Sequence, residues 1–168
     1  RETLRQTGLF PLKPKAVDTL QVNVGYMCNQ TCHHCHVDAG PDRKEIMQRK
    51  TMEQVLNAAK ANSINTIDIT GGAPEMNPNF RWFVEAATGM GKKVIVRCNL
   101  TIILANKRYH DLPDFYKKHK VEIIASLPYY QATRTDRQRG EGVFDKSIKA
   151  LQMLNKVGYG QDGTGLVL

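Results

Sequence analysis

The sequence predicts an α/β fold, an incomplete β/α barrel with a polar interior. Two observations predict it. Strand-like and helix-like runs alternate along most of the chain, which implies a parallel sheet with right-handed crossovers. The strand runs also carry two unlike faces. One holds Leu20, Val22, Val24, Ile67, Ile69, Val94, Val96, Val121 and Ile123. The other holds Gln21, Asn23, Thr66, Asp68, Thr70, Arg97, Asn99, Glu122 and Ser126. A doubly wound sheet is apolar on both faces because helices cover both. A face this polar fits a barrel lumen around a polar ligand.

Each element has its own signal. Leu20–Gly25 alternates apolar and polar residues and reads as the first strand. Thr51 and Gln54 match a capping box, so the first helix is expected to begin near Thr51 and to bury Met52, Val55, Leu56 and Ala59. Thr66–Thr70 is the second strand. The next helix carries Phe80, Phe83, Val84 and Ala87 on one face and stops near Gly89 or Gly91, with Trp82 as an edge contact. Lys93–Asn99 is the third strand. Pro113 suits the first turn of a short helix ending near His119. Val121–Ser126 is the fourth strand. A long polar loop follows, then a helix with Phe144, Ile148, Leu151 and Leu154 that Gly158 ends. Gly165–Leu168 reads as the start of a fifth strand. That ending, and a first residue that is Arg1 rather than Met, suggest part of a longer protein.

Composition bounds the class. The 168 residues suffice for one domain that buries about 70% of its unfolded surface. Hydrophobic residues at 41% and charged residues at 24% fit a soluble globular protein. No apolar run long enough for a membrane span and no signal peptide is visible, so no membrane role is expected. The formal net charge is +8, with clusters at Lys92-Lys93 and Lys117-Lys118-His119-Lys120. These lack aromatic interleaving and any nucleic-acid motif, so they read as solvated ends of elements rather than a nucleic-acid surface. The positive charge also suits docking of an acidic electron donor.

The chemistry concentrates after the first strand. Cys28, Cys32 and Cys35 stand in a C-x3-C-x2-C loop. Three thiolates from one loop can hold three irons of a cubane and leave the fourth iron open for chemistry. A closed zinc site with His33, His34 or His36 and a set of structural thiols are the alternatives. Zinc sites usually show paired C-x2-C or H-x3-5-H spacing, and only Cys32 and Cys35 form such a pair. In a β/α barrel the active loops follow the C-terminal ends of strands. The unusual sequences lie there: the cysteine loop, Gly71-Gly72-Ala73-Pro74-Glu75, Cys98-Asn99-Leu100-Thr101 and Ser126-Leu127-Pro128-Tyr129-Tyr130.

A C-x3-C-x2-C loop after strand one and a Gly-Gly-x-Pro turn after strand two resemble the radical S-adenosylmethionine (SAM) superfamily. The resemblance implies a partial (β/α)6 barrel, here reaching about the start of the fifth strand. Residues 1–18 would be an N-terminal extension and 19–168 the N-terminal part of the barrel. It also implies a [4Fe-4S] cluster on Cys28, Cys32 and Cys35, with SAM on the open iron and reductive cleavage to a 5′-deoxyadenosyl radical. The turn would bind the SAM amino group through Gly71, Gly72, Ala73 and Pro74. The family's usual acidic position holds Ala73, which makes Glu75 the candidate carboxylate. His34, before the last cysteine, would lie near the adenine. Asn99 and Ser126 would contact the ribose or carboxylate, and Arg137 and Arg139 would clamp a carboxylate. A low-potential donor, flavodoxin or ferredoxin, and a reducing cytoplasm are implied.

A narrower resemblance covers most of the chain. CNQTCHHCHVDAGP, DITGGAPEMNPNFRW, RCNLT, ASLPYY, DRQRGEGVFDKSI and LNKVGYG are similar to arsenosugar-biosynthesis radical SAM proteins. That family implies transfer of the 5′-deoxyadenosyl group to a methylated trivalent arsenical. Tyr129 stands where many members have cysteine. Cys98 is the remaining thiol that could meet arsenic, but alternation puts it with Val94 and Val96, where a packing role is the expectation. A peptide or other small metabolite is the alternative acceptor, and a zinc- or cluster-stabilised basic binding module the alternative in kind.

Overall fold

A computed structural model describes residues 2–8, 10–13 and 16–168. Arg1, Leu9, Pro14 and Lys15, all in the expected N-terminal extension, lie outside the described residues. Within that stretch α1 (Glu2–Gln6) buries none of its residues.

Four strands follow: β1 (Thr19–Asn23), β2 (Thr66–Thr70), β3 (Lys93–Cys98) and β4 (Glu122–Ala125). They pair in parallel, in the order β1-β2-β3-β4. A doubly wound sheet reverses its order at a switch point. This one advances in a single direction, as a barrel wall does. Between the strands lie α2 (Arg49–Ala61), α3 (Phe80–Gly89), the short α4 (Ile102–Ala105) and α5 (Leu112–Lys118). After β4 come α6 (Ala132–Arg139) and α7 (Val143–Val157).

The two sheet faces behave as their sequences require. Val22, Ile67, Ile69, Val94, Val96 and Ile123 are buried, in one core with Met52, Phe83 and Val84 of the helices. Each such side chain contributes roughly 1.5–3 kcal/mol by burial, so the helix-facing side carries the stability. On the other face Gln21 and Arg97 are exposed, while Asp68 is buried between them. Arg97 donates from Nε and Nη2 to Asp68 at 2.8–3.2 Å, and Gln21 Nε2 donates to the same carboxylate at 3.0 Å. The polar face is thus already a bonded network.

Several sequence expectations need correction. The capping box at Thr51 does not form: α2 starts at Arg49, Gln48 is its N-cap, and Thr51 N–H donates to the Gln48 carbonyl at 3.0 Å. Arg49 instead stacks on Trp82, 4.0 Å from the ring centre. The long polar loop after β4 contains α6. Its sequence has no apolar stripe and only Thr135 is buried. Asp136 accepts from Gly142 N–H at 2.9 Å and Phe144 N–H at 2.8 Å, which joins α6 to α7. In α7 the buried line is Val143, Ser147, Ala150 and Leu154, while Phe144, Ile148 and Leu151 are half-buried. Gly165–Leu168 forms no strand. It reaches the sheet through one backbone bond, from Ile123 N–H to the Val167 carbonyl at 3.0 Å.

Candidate functional site

The site forms where strands end. The β1–β2 ladder continues past both strands: Gly72 N–H donates to the Gly25 carbonyl and Ala73 N–H to the Met27 carbonyl, each at 2.9 Å. The Gly-Gly turn is therefore zipped to the segment that enters the cysteine loop. Both glycines are required by this approach. A Cβ at Gly71 would lie 2.6 Å from the Gly25 carbonyl oxygen, at a φ of +152° that side chains rarely adopt. One at Gly72 would lie 2.5 Å from the Met27 oxygen.

The cysteine loop folds back on itself. Cys28 N–H donates to the Gly40 carbonyl at 3.0 Å and Met47 N–H to the Val24 carbonyl at 2.9 Å. Asn77, buried, closes it by donating from Nδ2 to the Val24 and Met47 carbonyls at 2.8 and 3.0 Å. Cys28 is buried; Cys32 and Cys35 are half-buried, and none of the four cysteines is in a disulfide. Two donors approach the sulfurs: Ala39 N–H lies 3.3 Å from Cys35 Sγ, and Asn99 Nδ2 lies 3.7 Å from Cys28 Sγ.

All three thiols line one cavity of about 260 Å³. His34, Gly71, Gly72, Asn99, Ser126 and Arg139 line it too, so the structure brings together these sequence candidates from four strand ends and α6. Gln30, Val37, Ala39, Thr70 and Arg97, which sequence reasoning does not assign to the site, complete the wall with His36, a candidate only in the zinc alternative. The available signal for Thr70 and Arg97 was their place on the polar strand face. Asn29 and Thr101 were also missed: with Asn99 they close a ring of side-chain hydrogen bonds at 2.9–3.1 Å.

The rest of the sequence candidates lie elsewhere. Ala73, Pro74 and Glu75 are buried and outside the cavity wall. Glu75 turns into the core, where the Tyr116 hydroxyl donates to its Oε1 at 2.6 Å, and burial raises its carboxyl above the ordinary range. The side chain expected as the carboxylate of the Gly-Gly turn thus points away from the cavity in this structure. Cys98 is fully buried on the helix-facing side of β3, and burial pushes its thiol far up, so it does not face the cavity as a substrate ligand. Tyr129 is also outside the wall; it stacks on Tyr130 with ring centres 4.3 Å apart and beneath Arg134. Arg137 is exposed beside His33 and Arg134, not in the cavity.

Burial raises the Cys28 thiol, opposed by the Gln30 N–H and the Asn99 amide. Burial also raises Cys32, opposed by the Arg139 charge. The loop by itself does not make these groups thiolates; coordination to a metal would. Among the described residues no three His, Cys, Asp or Glu side chains are grouped to hold a metal ion. A cubane takes each thiolate at a different corner, which suits thiols spread around a cavity. The rest of the wall fits a bound amino acid moiety. Among the described residues the Gly71 and Gly72 carbonyls accept no backbone hydrogen bond, and the buried Arg139 Nε has no partner.

No helix among the described residues is long and apolar enough to cross a membrane. A profile of the Radical SAM superfamily matches residues 22–168. The chain is 26% identical over 161 residues to the antilisterial bacteriocin subtilosin biosynthesis protein AlbA of Bacillus subtilis, covering 94% of this chain and 34% of that protein. It is 26% identical over 134 residues to the mycofactocin maturase MftC of Mycobacterium tuberculosis, covering 80% and 33%. The chain thus spans about a third of the length of these curated relatives. Among solved structures, Streptococcus suis SuiB bound to S-adenosylmethionine shares the fold at a TM-score of 0.71 and 20% identity, covering 94% of this chain and 35% of that one. The structure described as native anSMEcpe with bound AdoMet does so at 0.66 and 16% identity, covering 83% and 41%. With a profile match over most of its length and the fold of these structures, the chain belongs to the radical SAM superfamily, which uses a [4Fe-4S] cluster and S-adenosylmethionine.

Proposed function

We propose that residues 19–168 are the N-terminal part of the barrel of a radical SAM enzyme, preceded by an extension over 1–18. The observation that carries this is the convergence of the three loop thiols and the Gly71-Gly72 turn on one cavity. Cys28, Cys32 and Cys35 hold three irons. When bound, the cluster and SAM supply reductive cleavage to a 5′-deoxyadenosyl radical. The Gly71 and Gly72 carbonyls accept from the SAM amino group, and Arg139 pairs with its carboxylate. Asn99 and Ser126 hold the ribose side, and His34 lies against the adenine. Arg97, fixed by Asp68, presents its remaining N–H groups to whatever occupies the lumen. Flavodoxin or ferredoxin supplies the electron, in the cytoplasm.

The acceptor we assign is a methylated trivalent arsenical: the S–C5′ bond of SAM would break with methionine leaving, C5′ would bond to arsenic, and the arsenic-centred radical would lose one electron, which the oxidised cluster would take back, giving a pentavalent dimethylarsenic group. The support is the similarity of the cysteine-loop, turn and α6 strings to arsenosugar-biosynthesis proteins. A peptide acceptor is the second reading. It is favoured by AlbA, described as a bacteriocin biosynthesis protein, and by SuiB, solved bound to its precursor peptide SuiA. Mass spectrometry of an anaerobic reaction separates the two. The full-length reconstituted enzyme is given SAM, a reductant and dimethylarsenite. A deoxyadenosine bearing dimethylarsenic at C5′ is the expected product. Plain 5′-deoxyadenosine, with no arsenic adduct, would overturn the arsenical and leave the radical enzyme standing.

A further inference from the structure

The Glu75 carboxylate lies outside the cavity, yet it sits three residues from a glycine that lines it. Its neighbours define what it does. Glu75 belongs to a single 3-10 turn, Pro74–Met76, that leads from the Gly-Gly turn to α3. It is 6% exposed, and its Oε2 has no hydrogen-bond partner. Its Oε1 accepts from the hydroxyl of Tyr116 on α5, a side chain that is itself fully buried. Tyr116 is held in turn: its ring meets Phe80 of α3 edge-on, with centres 6.4 Å apart. A carboxyl buried this deeply costs stability unless it is bonded. An apolar residue would pack here at lower cost if packing were the sole requirement.

The bond has a mechanical consequence. Ala73 N–H donates to the Met27 carbonyl, and Met27 precedes Cys28. Asn77 grips the Val24 and Met47 carbonyls on the other side of the same turn. The segment from Ala73 to Asn77 is therefore held at one end by the cysteine-loop backbone and in its middle by α5. We propose that Glu75, through Tyr116, is a positioning residue for SAM: it touches no ligand but fixes the turn that aims the Gly71 and Gly72 carbonyls into the cavity. The inference rests on the proposed SAM site and specifies what holds its wall in place.

Three variants of the full-length reconstituted enzyme test it: Tyr116→Phe, Glu75→Leu and Glu75→Gln. The first two break the bond. The third keeps an acceptor for Tyr116 and serves as the conservative rescue. Iron and sulfide content, thermal midpoint, the SAM-induced change in the cluster's electron paramagnetic resonance spectrum, and KM for SAM are measured for each. Tyr116→Phe and Glu75→Leu should keep the cluster yet weaken SAM binding by roughly three- to ten-fold, the effect of one hydrogen bond. Glu75→Gln should bind SAM within about two-fold of wild type. A purely structural role predicts lower thermal midpoints with unchanged KM and spectrum, and that result overturns the proposal. Should Glu75→Leu fail to fold, Tyr116→Phe decides the matter alone, since it removes a single atom. Wild-type enzyme with a full cluster but no SAM response would overturn the site reading itself, and the inference with it.

Discussion

Asn99 Nδ2 lies 3.7 Å from Cys28 Sγ while also donating to Asn29 Oδ1 at 2.9 Å. One amide at the end of β3 thus reaches the first thiol of the cysteine loop and the residue after it. Thr101 closes the ring by donating to Asn99 Oδ1 and accepting from Asn29 Nδ2. Strand three is in this way bonded to the cysteine loop without any backbone pairing between them.

Asn99→Ala removes a sulfur-directed donor and leaves Asn29 and Thr101 short of partners. It should cost about 1–3 kcal/mol of stability and lower the cluster's reduction potential, because hydrogen bonds to the sulfurs favour the reduced state. Denaturant melts and a potentiometric titration check both effects. An unchanged potential would remove Asn99 from the cluster's surroundings.

Gly72→Ala places a Cβ 2.5 Å from the Met27 carbonyl oxygen, a backbone atom that moves only with the cysteine loop. The expected cost is about 1–3 kcal/mol, as for overpacking, together with weaker SAM binding. Gly89→Ala is the control, since nothing lies within 4 Å of its Cβ position. Equal effects from the two would contradict the close approach.

Stability should depend on pH through Glu75. Its folded pKa is raised by burial, so the folded state holds the proton that the unfolded chain loses near pH ~4.3. Stability present below that pH is lost as pH rises through the folded pKa. Glu75→Gln cannot lose a proton, so its stability relative to wild type should grow as pH rises above about 4.3 and level off once the folded carboxyl ionises. The Cys28, Cys32 and Cys98 thiols add the same sign of slope only above about pH 8, where the unfolded thiols begin to ionise. Melts at stepped pH check this, and parallel curves for the two proteins would contradict it.

Cys98→Ala should keep the cluster, because Cys98 is buried on the side of β3 away from the cavity; its thiol lies against Glu75 and Tyr116, so SAM cleavage should fall by no more than in Tyr116→Phe. Arsenical turnover should survive as well. Its complete loss, with folding intact, would return Cys98 to the substrate site.

The strands and the loops that follow them were legible because alternation marks a half-buried strand directly: β2 matches residue for residue. The loop thiols and glycines were legible because their spacing is local. What escaped notice depends on distant partners. Glu75 read as a ligand because an acid in a Gly-Pro turn looks functional, and its partner Tyr116 lies 41 residues away. α6 was hidden because its backbone is held by Asp136 and by Thr135 donating to the Tyr129 carbonyl, not by an apolar face. α2 starts two residues earlier than the pattern suggested, and its first residue, Arg49, pairs with Glu53 and stacks on the distant Trp82.

The most direct measurement is chromatographic detection of 5′-deoxyadenosine from the anaerobically reconstituted full-length enzyme with SAM and a reductant. Single Cys28→Ala, Cys32→Ala and Cys35→Ala variants are run beside it. The account predicts 5′-deoxyadenosine from the wild type and none from any of the three variants. Wild type with full iron and sulfide but no product, or a variant that still cleaves SAM, would contradict it.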